Sequence, residues 1–284
     1  MSGILYLVAT PIGNMEDMTM RAIRILKEVD LIAAEDTRDS MKLLNYFDID
    51  TPTTSYHEYN RYDKGRILID KLLQGTNIAL VTDAGTPGIS DPGEVLVQMC
   101  YEEGICVVPV PGAVAGINAL IASGQKTRSF AFEAFLPSEK TDKKERRMVL
   151  DRLKNESRTI ILYEAPHRLV KTLEVLRETL GEERELTICK ELTKKHEKFL
   201  KTTIGQAIEF YREEKPRGEY VLVIAGKSQE EIRMEKEAEF ANVTIEERLR
   251  QLINEGTPKK EAVRMVADER GISKREVYQV SINL

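Results

Sequence analysis

Cysteine is scarce in this chain of 284 residues: only Cys100, Cys106 and Cys189 occur, with no C-x-x-C spacing and no neighbouring histidine. That excludes a disulfide framework and a thiolate zinc site, and it fits a reducing compartment. No apolar run approaches the ~20 residues that span a bilayer, and the apolar start Ile4 to Ala9 follows Met1-Ser2-Gly3 without a basic leader. A soluble cytoplasmic protein, its first element a buried strand, is therefore expected. Nor is there an excess of positive charge, since 42 Lys+Arg against 47 Asp+Glu leave a net charge of −5. Domains whose whole surface binds nucleic acid are usually strongly basic, so any such contact here has to be local. The chain also lacks G-x-G-x-x-G and G-x-x-x-x-G-K-[ST], which counts against a dinucleotide-binding Rossmann domain and a P-loop NTPase.

What is present is an ordinary globular balance, 42% hydrophobic and 31% charged, enough for a packed core. The length suggests two domains and a small appendage. From Ile4 to Val110, short β-branched runs alternate with helical patterns: strands at 4–9, 31–34, 53–56, 78–81 and 106–110, helices at 19–29, 40–47, 61–74 and 94–103. This alternation predicts right-handed crossovers and a mainly parallel sheet covered on both faces. Pro109-Val110-Pro111-Gly112 breaks it and places a junction there. A second α/β set follows, with helices at 115–123, 143–154, 167–180 and 206–213 and strands at 129–135, 159–163, 185–190, 198–203 and 220–225. The hairpin-like spacing of its last strands predicts a mixed sheet. Residues 227–241 read as a charge-dense helix or linker, and helices at 245–255, 259–269 and 273–278 as a helix-turn-helix-like tail. The expected organisation is thus α/β: domains 1–111 and 112–226, then a linker and helical tail at 227–284.

The informative loops follow strands, where a parallel sheet exposes ligand-binding ends. Thr10-Pro11-Ile12-Gly13-Asn14 is a tight turn that lets backbone approach a ligand. Glu35-Asp36-Thr37-Arg38-Asp39 reads either as a polar wall of a cleft or as a helix cap with an arginine partner. His57-Glu58-Tyr59-Asn60 adds an imidazole, exposed and structural or titratable beside a site. Thr82 to Gly93 holds three glycines, two prolines and two acids in twelve positions, more special backbone than a plain connection needs, and Asp83 could receive a cationic or hydroxyl-bearing ligand. Pro111 to Gly116 opens a helix with small residues.

Together these segments, with Tyr163-Glu164-Ala165-Pro166-His167-Arg168, Lys190-Glu191-Leu192-Thr193-Lys194 and Arg217-Gly218-Glu219-Tyr220-Val221, resemble in order the motifs of the ribosomal RNA small subunit methyltransferase I family. That family lies within the tetrapyrrole (corrin and porphyrin) methylase superfamily. The resemblance spans about residues 3–226, and the tail resembles one in many members. It implies S-adenosylmethionine in a cleft between two α/β domains, no metal, and methylation of the ribose 2′-oxygen of a cytidine in the decoding region. By motif position, Pro11, Asp83, Ala84, Gly85 and Ile89 from the first domain, and Val114, Ala115, Tyr163 and Leu192 from the second, would line the cofactor.

In-line methyl transfer needs an aligned acceptor oxygen and a group to take its proton. Glu35, Asp36, Arg38, His57 and Glu191 are the catalytic candidates, with Glu58 and Glu164 as further possible bases. His57-Glu58-Tyr59-Asn60 stands where many relatives show His-x-His-Asn, which weakens any scheme needing a histidine pair. For RNA phosphates the candidates are Lys143, Lys144, Arg146 and Arg147, then Arg168, then Lys259, Lys260, Lys274 and Arg275 in the tail. The implied partners are small-subunit ribosomal RNA or the assembled subunit, with a homodimer and no membrane. Two alternatives stand beside this: a tetrapyrrole carbon methyltransferase, and a non-catalytic RNA-binding protein with an idle cofactor site.

Overall fold

The computed structural model describes residues 2–282. Strands β1 (Ile4–Val8), β2 (Leu31–Ala34), β3 (Thr53–Ser55), β4 (Ile78–Val81) and β5 (Cys106–Val110) form one sheet. Its order is β3-β2-β4-β1-β5, and every neighbouring pair is parallel. Helices α1 (Met20–Glu28), α2 (Thr37–Tyr46), α3 (Arg61–Leu73) and α4 (Gly93–Glu102) connect these strands. Because side chains alternate along a strand, β4 sends Ala79 and Val81 to the face that Leu26 of α1 and Leu44 of α2 cover, and Ile78 and Leu80 to the face of Leu68, Leu72 and Leu96. Each buried Val, Leu or Ile among them contributes roughly 1.5–3 kcal/mol relative to exposure. Pro109 is accommodated inside β5, paired with Leu7, because β5 is an edge strand where a missing amide costs little. The break in the pattern therefore falls after Val110.

A second sheet contains β6 (Phe130–Phe135), β7 (Thr159–Glu164), β8 (Glu185–Lys190), β9 (Lys198–Thr203) and β10 (Tyr220–Ile224), in the order β6-β7-β10-β8-β9. Only β6 and β7 are parallel to each other, so the sheet is mixed, as expected. Helices α6 (Lys143–Lys154), α7 (Leu169–Leu180) and α8 (Ile204–Glu213) bury Leu153, Leu173, Leu176 and Ile208 on one face. Helix α5 (Ala115–Ser123) covers the other with Ala119 and Leu120, over Ile161, Val221 and Val223. Ile12, from the turn after β1, packs against that same face.

The chain divides into two compact units, Met1–Ala225 and Gly226–Leu284, the first holding both sheets. The second contains α9 (Gln229–Asn242), α10 (Ile245–Asn254), α11 (Lys259–Arg270) and α12 (Lys274–Ser281). Leu249, Leu252, Val263, Val266 and Val277 form its core. Gly271, at φ 64°, ends α11, and Ser273 caps α12 reciprocally with Glu276, the turn that the sequence predicts. Cys100 and Cys189 are buried and Cys106 is exposed; burial pushes the two inner thiols up to about 12. No described helix is long and apolar enough to cross a membrane.

Candidate active-site cleft

Strands β1 and β4 are neighbours, yet they feed helices on opposite faces: α1 after β1, α4 after β4. Their following loops must part, and in an open parallel sheet that divergence makes a crevice at the carboxyl ends. Thr10 and Gly85 hold its base together through a two-way backbone bridge, Thr10 N–H to Gly85 O at 2.8 Å and Gly85 N–H to Thr10 O at 3.2 Å. Gly85 sits at φ +86°, where an L side chain is strained, and a Cβ there would lie 3.3 Å from Ile12 Cγ2. Against this crevice stand the start of α5, the ends of β7 and β8 and the start of the antiparallel β10, enclosing a cleft of about 670 Å³.

The long loop after β4 is folded around one carboxylate. Asp91 accepts from the amides of Gly88 (2.8 Å), Ile89 (3.0 Å) and Gly93 (2.7 Å). Across the cleft, the Tyr163 hydroxyl accepts from Gly116 N–H at 3.0 Å, tying β7 to the first turn of α5, whose own N-cap residue, Val114, offers no side-chain acceptor. The Tyr163 ring meets Phe132 and Phe135 edge-on at 5.1 and 5.7 Å. Burial raises the Tyr163 hydroxyl above its usual pKa, partly offset by the Gly116 amide.

Of the expected cofactor residues, Asp83, Ala84, Gly85, Ile89, Val114, Ala115, Tyr163 and Leu192 line the cleft; Pro11 does not, and its neighbour Ile12 does. Among the catalytic candidates only Glu35 lines it. Asp83 N–H donates to Glu35 Oε2 at 3.5 Å, and Asp36 N–H donates to Asp83 Oδ1 at 3.0 Å, so adjacent strand ends hold each other. Burial first, then the Asp83 charge, raises the Glu35 pKa above 4.5. Asp36 caps α2 and takes the Arg38 amide and guanidinium (2.8, 3.1 and 2.7 Å), which lowers its carboxyl to about 2. His57 Nε2 lies 3.3 Å from Asn60 Nδ2, while its buried Nδ1 has no partner.

Glu191 stands outside the lining in a left-handed conformation, φ 53°. It accepts from the Glu219 amide and from Lys194 Nζ, both at 3.0 Å. Burial pushes its carboxyl up, but these partners hold it below the usual value. Glu164 lines the cleft yet is fully engaged, accepting from Ala165 N–H (2.8 Å) and the Thr172 hydroxyl (2.5 Å) and facing Arg168 Nε at 3.3 Å. Phe135, His167, Cys189 and Tyr220 also line it. His167 falls within the Tyr163 to Arg168 motif but is marked there by no feature of its own, and Phe135 and Cys189 carry no local mark either.

Lys143, Lys144 and Arg147 are exposed on α6, but Arg146 is buried and donates to the Pro137 carbonyl at 2.8 Å. Arg168 pairs with Glu164 and donates to the Leu136 carbonyl at 2.6 Å. In the second unit, Lys260, Lys274 and Arg275 line a groove of about 690 Å³ beside Arg264 and the exposed Tyr278, and Lys259 lies next to it in sequence. No cluster of three or more metal-ligating side chains occurs among the described residues.

Residues 4–208 match the model of a family described as Tetrapyrrole (Corrin/Porphyrin) Methylases. A protein of Synechocystis sp. named Ribosomal RNA small subunit methyltransferase I is 51% identical over 282 residues, covering 99% of this chain and 98% of its own. A Bacillus subtilis protein of the same name is 49% identical, with 97% and 93% covered. Among solved structures, a uroporphyrin-III C-methyltransferase from Thermus thermophilus complexed with S-adenosylhomocysteine superimposes with a TM-score of 0.54 at 19% identity. It covers 78% of this chain and 97% of its own, a likeness of fold.

Proposed function

This chain belongs to the tetrapyrrole methylase family and, within it, to the ribosomal RNA small subunit methyltransferase I group, and we propose on that premise that it methylates the ribose 2′-oxygen of a cytidine in the decoding region of small-subunit ribosomal RNA. The observation that supports this chemistry is the single cleft on which the β4 loop, the start of α5 and Tyr163 converge. Its lining fits S-adenosylmethionine. Ala84, Ile89, Leu192 and the Tyr163 ring offer a nonpolar bed, Gly85 and Val114–Ala115 bring backbone close, and Asp83 with Glu35 favours a cationic sulfonium. When bound, the cofactor supplies an already activated methyl group.

The protein's remaining tasks are alignment and proton removal. Glu35 is the base in this reading, half-buried and lining the cleft, its pKa raised first by burial and then by the Asp83 charge, which makes it a better proton acceptor than a free carboxylate. Asp36 and Arg38 fix the loop that carries it, His57 works weakly against that upward shift, and Glu191 braces the turn that presents Leu192. The boundary near residue 111 separates the two cleft walls. Lys143, Lys144 and Arg147, and in the tail Lys259, Lys260, Lys274 and Arg275, are the phosphate contacts. The ribosomal substrate puts the protein in the cytoplasm. Exposed Ile117, Ile121, Phe130 and Phe132 on α5 and the edge strand β6 are the surface for a homodimer.

The deciding experiment offers labelled S-adenosylmethionine with naked ribosomal RNA, with small subunits and with a tetrapyrrole, followed by nucleoside analysis. Label on a cytidine 2′-oxygen is expected. Label on the macrocycle alone, or no transfer at all, overturns the reading.

A further inference from the structure

A second concavity, of about 310 Å³, adjoins the cleft and shares His167 with it. Lys140 reaches it from the β6–α6 connection, Arg146 from α6, and Arg168 and Lys171 from the start of α7. Two of these four cations are already neutralised: Lys171 pairs with Glu139, and Arg168 with the buried Glu164. Lys140 and Arg146 make no ion pair among the described residues. Arg146 is only 7% exposed, and the Pro137 carbonyl fixes its guanidinium. Glu139 lines the concavity too and feels the Arg146 charge, but its carboxylate is paired with Lys171, so the four cations still exceed the two acids Glu139 and Glu164. A planar guanidinium fixed in this way is matched in geometry to a phosphate.

We propose that this concavity is a phosphodiester site, where Arg146 and Lys140 hold a backbone phosphate of the RNA strand whose neighbouring ribose enters the cleft past His167. The assignment rests on the RNA reading above. Phosphate contacts of this kind set register rather than sequence, so the site positions the 2′-oxygen without reading a base.

The test uses the full chain with Lys140→Ala, an exposed residue, and Arg146→Gln. Calorimetry with S-adenosylmethionine reports whether the cleft is intact, kinetics with small subunits and naked ribosomal RNA give KM, and anisotropy of a fluorescein-labelled single-stranded RNA gives the salt dependence of binding. With cofactor affinity unchanged, KM for RNA should rise about tenfold, the worth of one charge-assisted bond. The salt slope should fall by about 0.7 per contact removed. Wild-type KM and slope in Lys140→Ala overturn the proposal, whatever Arg146→Gln does to folding. If the wild type methylates no RNA, the substrate reading fails, and a reduced slope with the labelled RNA still supports the phosphate site.

Discussion

Glu35 and Asp83 are coupled by geometry, since each lies at the end of one of two paired strands and each touches the other's loop backbone. Glu35→Gln should lower kcat by about 10²-fold or more, the range of a lost general base, with cofactor affinity unchanged in calorimetry. At saturating cofactor, Asp83→Asn should move the acidic limb of the kcat–pH profile to lower pH, because removing a like charge lets the Glu35 pKa fall toward 4.5. Asp36 acts on stability. Its carboxyl is held at about 2 against an unfolded value of 3.8, so its contribution is present above pH 3.8 and is lost as pH falls through about 2. Melting temperatures of Asp36→Asn across that window should flatten relative to the parent. The sequence left Asp36 open between cap and cleft wall; the cap is what forms, since a carboxylate before Thr37 meets the free amides of α2. What separates Glu35 from Asp36, Arg38, His57 and Glu191 is its place in the cleft lining, and from Glu164 that its carboxylate has no ion-pair partner among the described residues, neither of which one-dimensional spacing carries.

The elements were largely legible. Alternating β-branched runs and 3.6-residue periodicity placed β2, β4, β5, α5, α6, β8 and β9 with the ends they have. Helix α2 begins three residues before its expected start because Asp36, rather than a later residue, supplies the cap. The short 3₁₀ turn Met15–Asp17 had no signal beyond the Asn14 side chain that caps it. Strand order and the face each helix covers depend on tertiary packing, and through them so do Phe135 and Cys189 of the cleft. Leu222 lies wholly buried at the centre of the second sheet, paired through β10 with both β7 and β8. Leu222→Ala should cost about 2–5 kcal/mol in denaturant unfolding, from lost transfer energy and the cavity left behind.

For the whole molecule, the net charge of −5 conceals segregation. In the tail, Arg248 faces Glu269 and Arg250 faces Glu246, whereas Lys260, Lys274 and Arg275 make no ion pair among the described residues. A chain ending before Gly226 should raise KM for RNA while leaving cofactor affinity as it was, measured by filter binding and calorimetry; equal losses in both would remove the tail from substrate recognition. The proposed dimer surface on α5 and β6 predicts that Ile121→Glu sediments as a monomer and the parent as a dimer; a parent that sediments as a monomer removes that surface from consideration. The cysteines supply a further handle. Thiolates, not thiols, react with maleimides, and the two inner sulfurs are both covered and held protonated up to about pH 12. Cys106, on the edge strand of the first sheet, is therefore a natural single attachment point for a fluorophore. Energy transfer from there to labelled RNA can follow substrate docking in the unaltered protein.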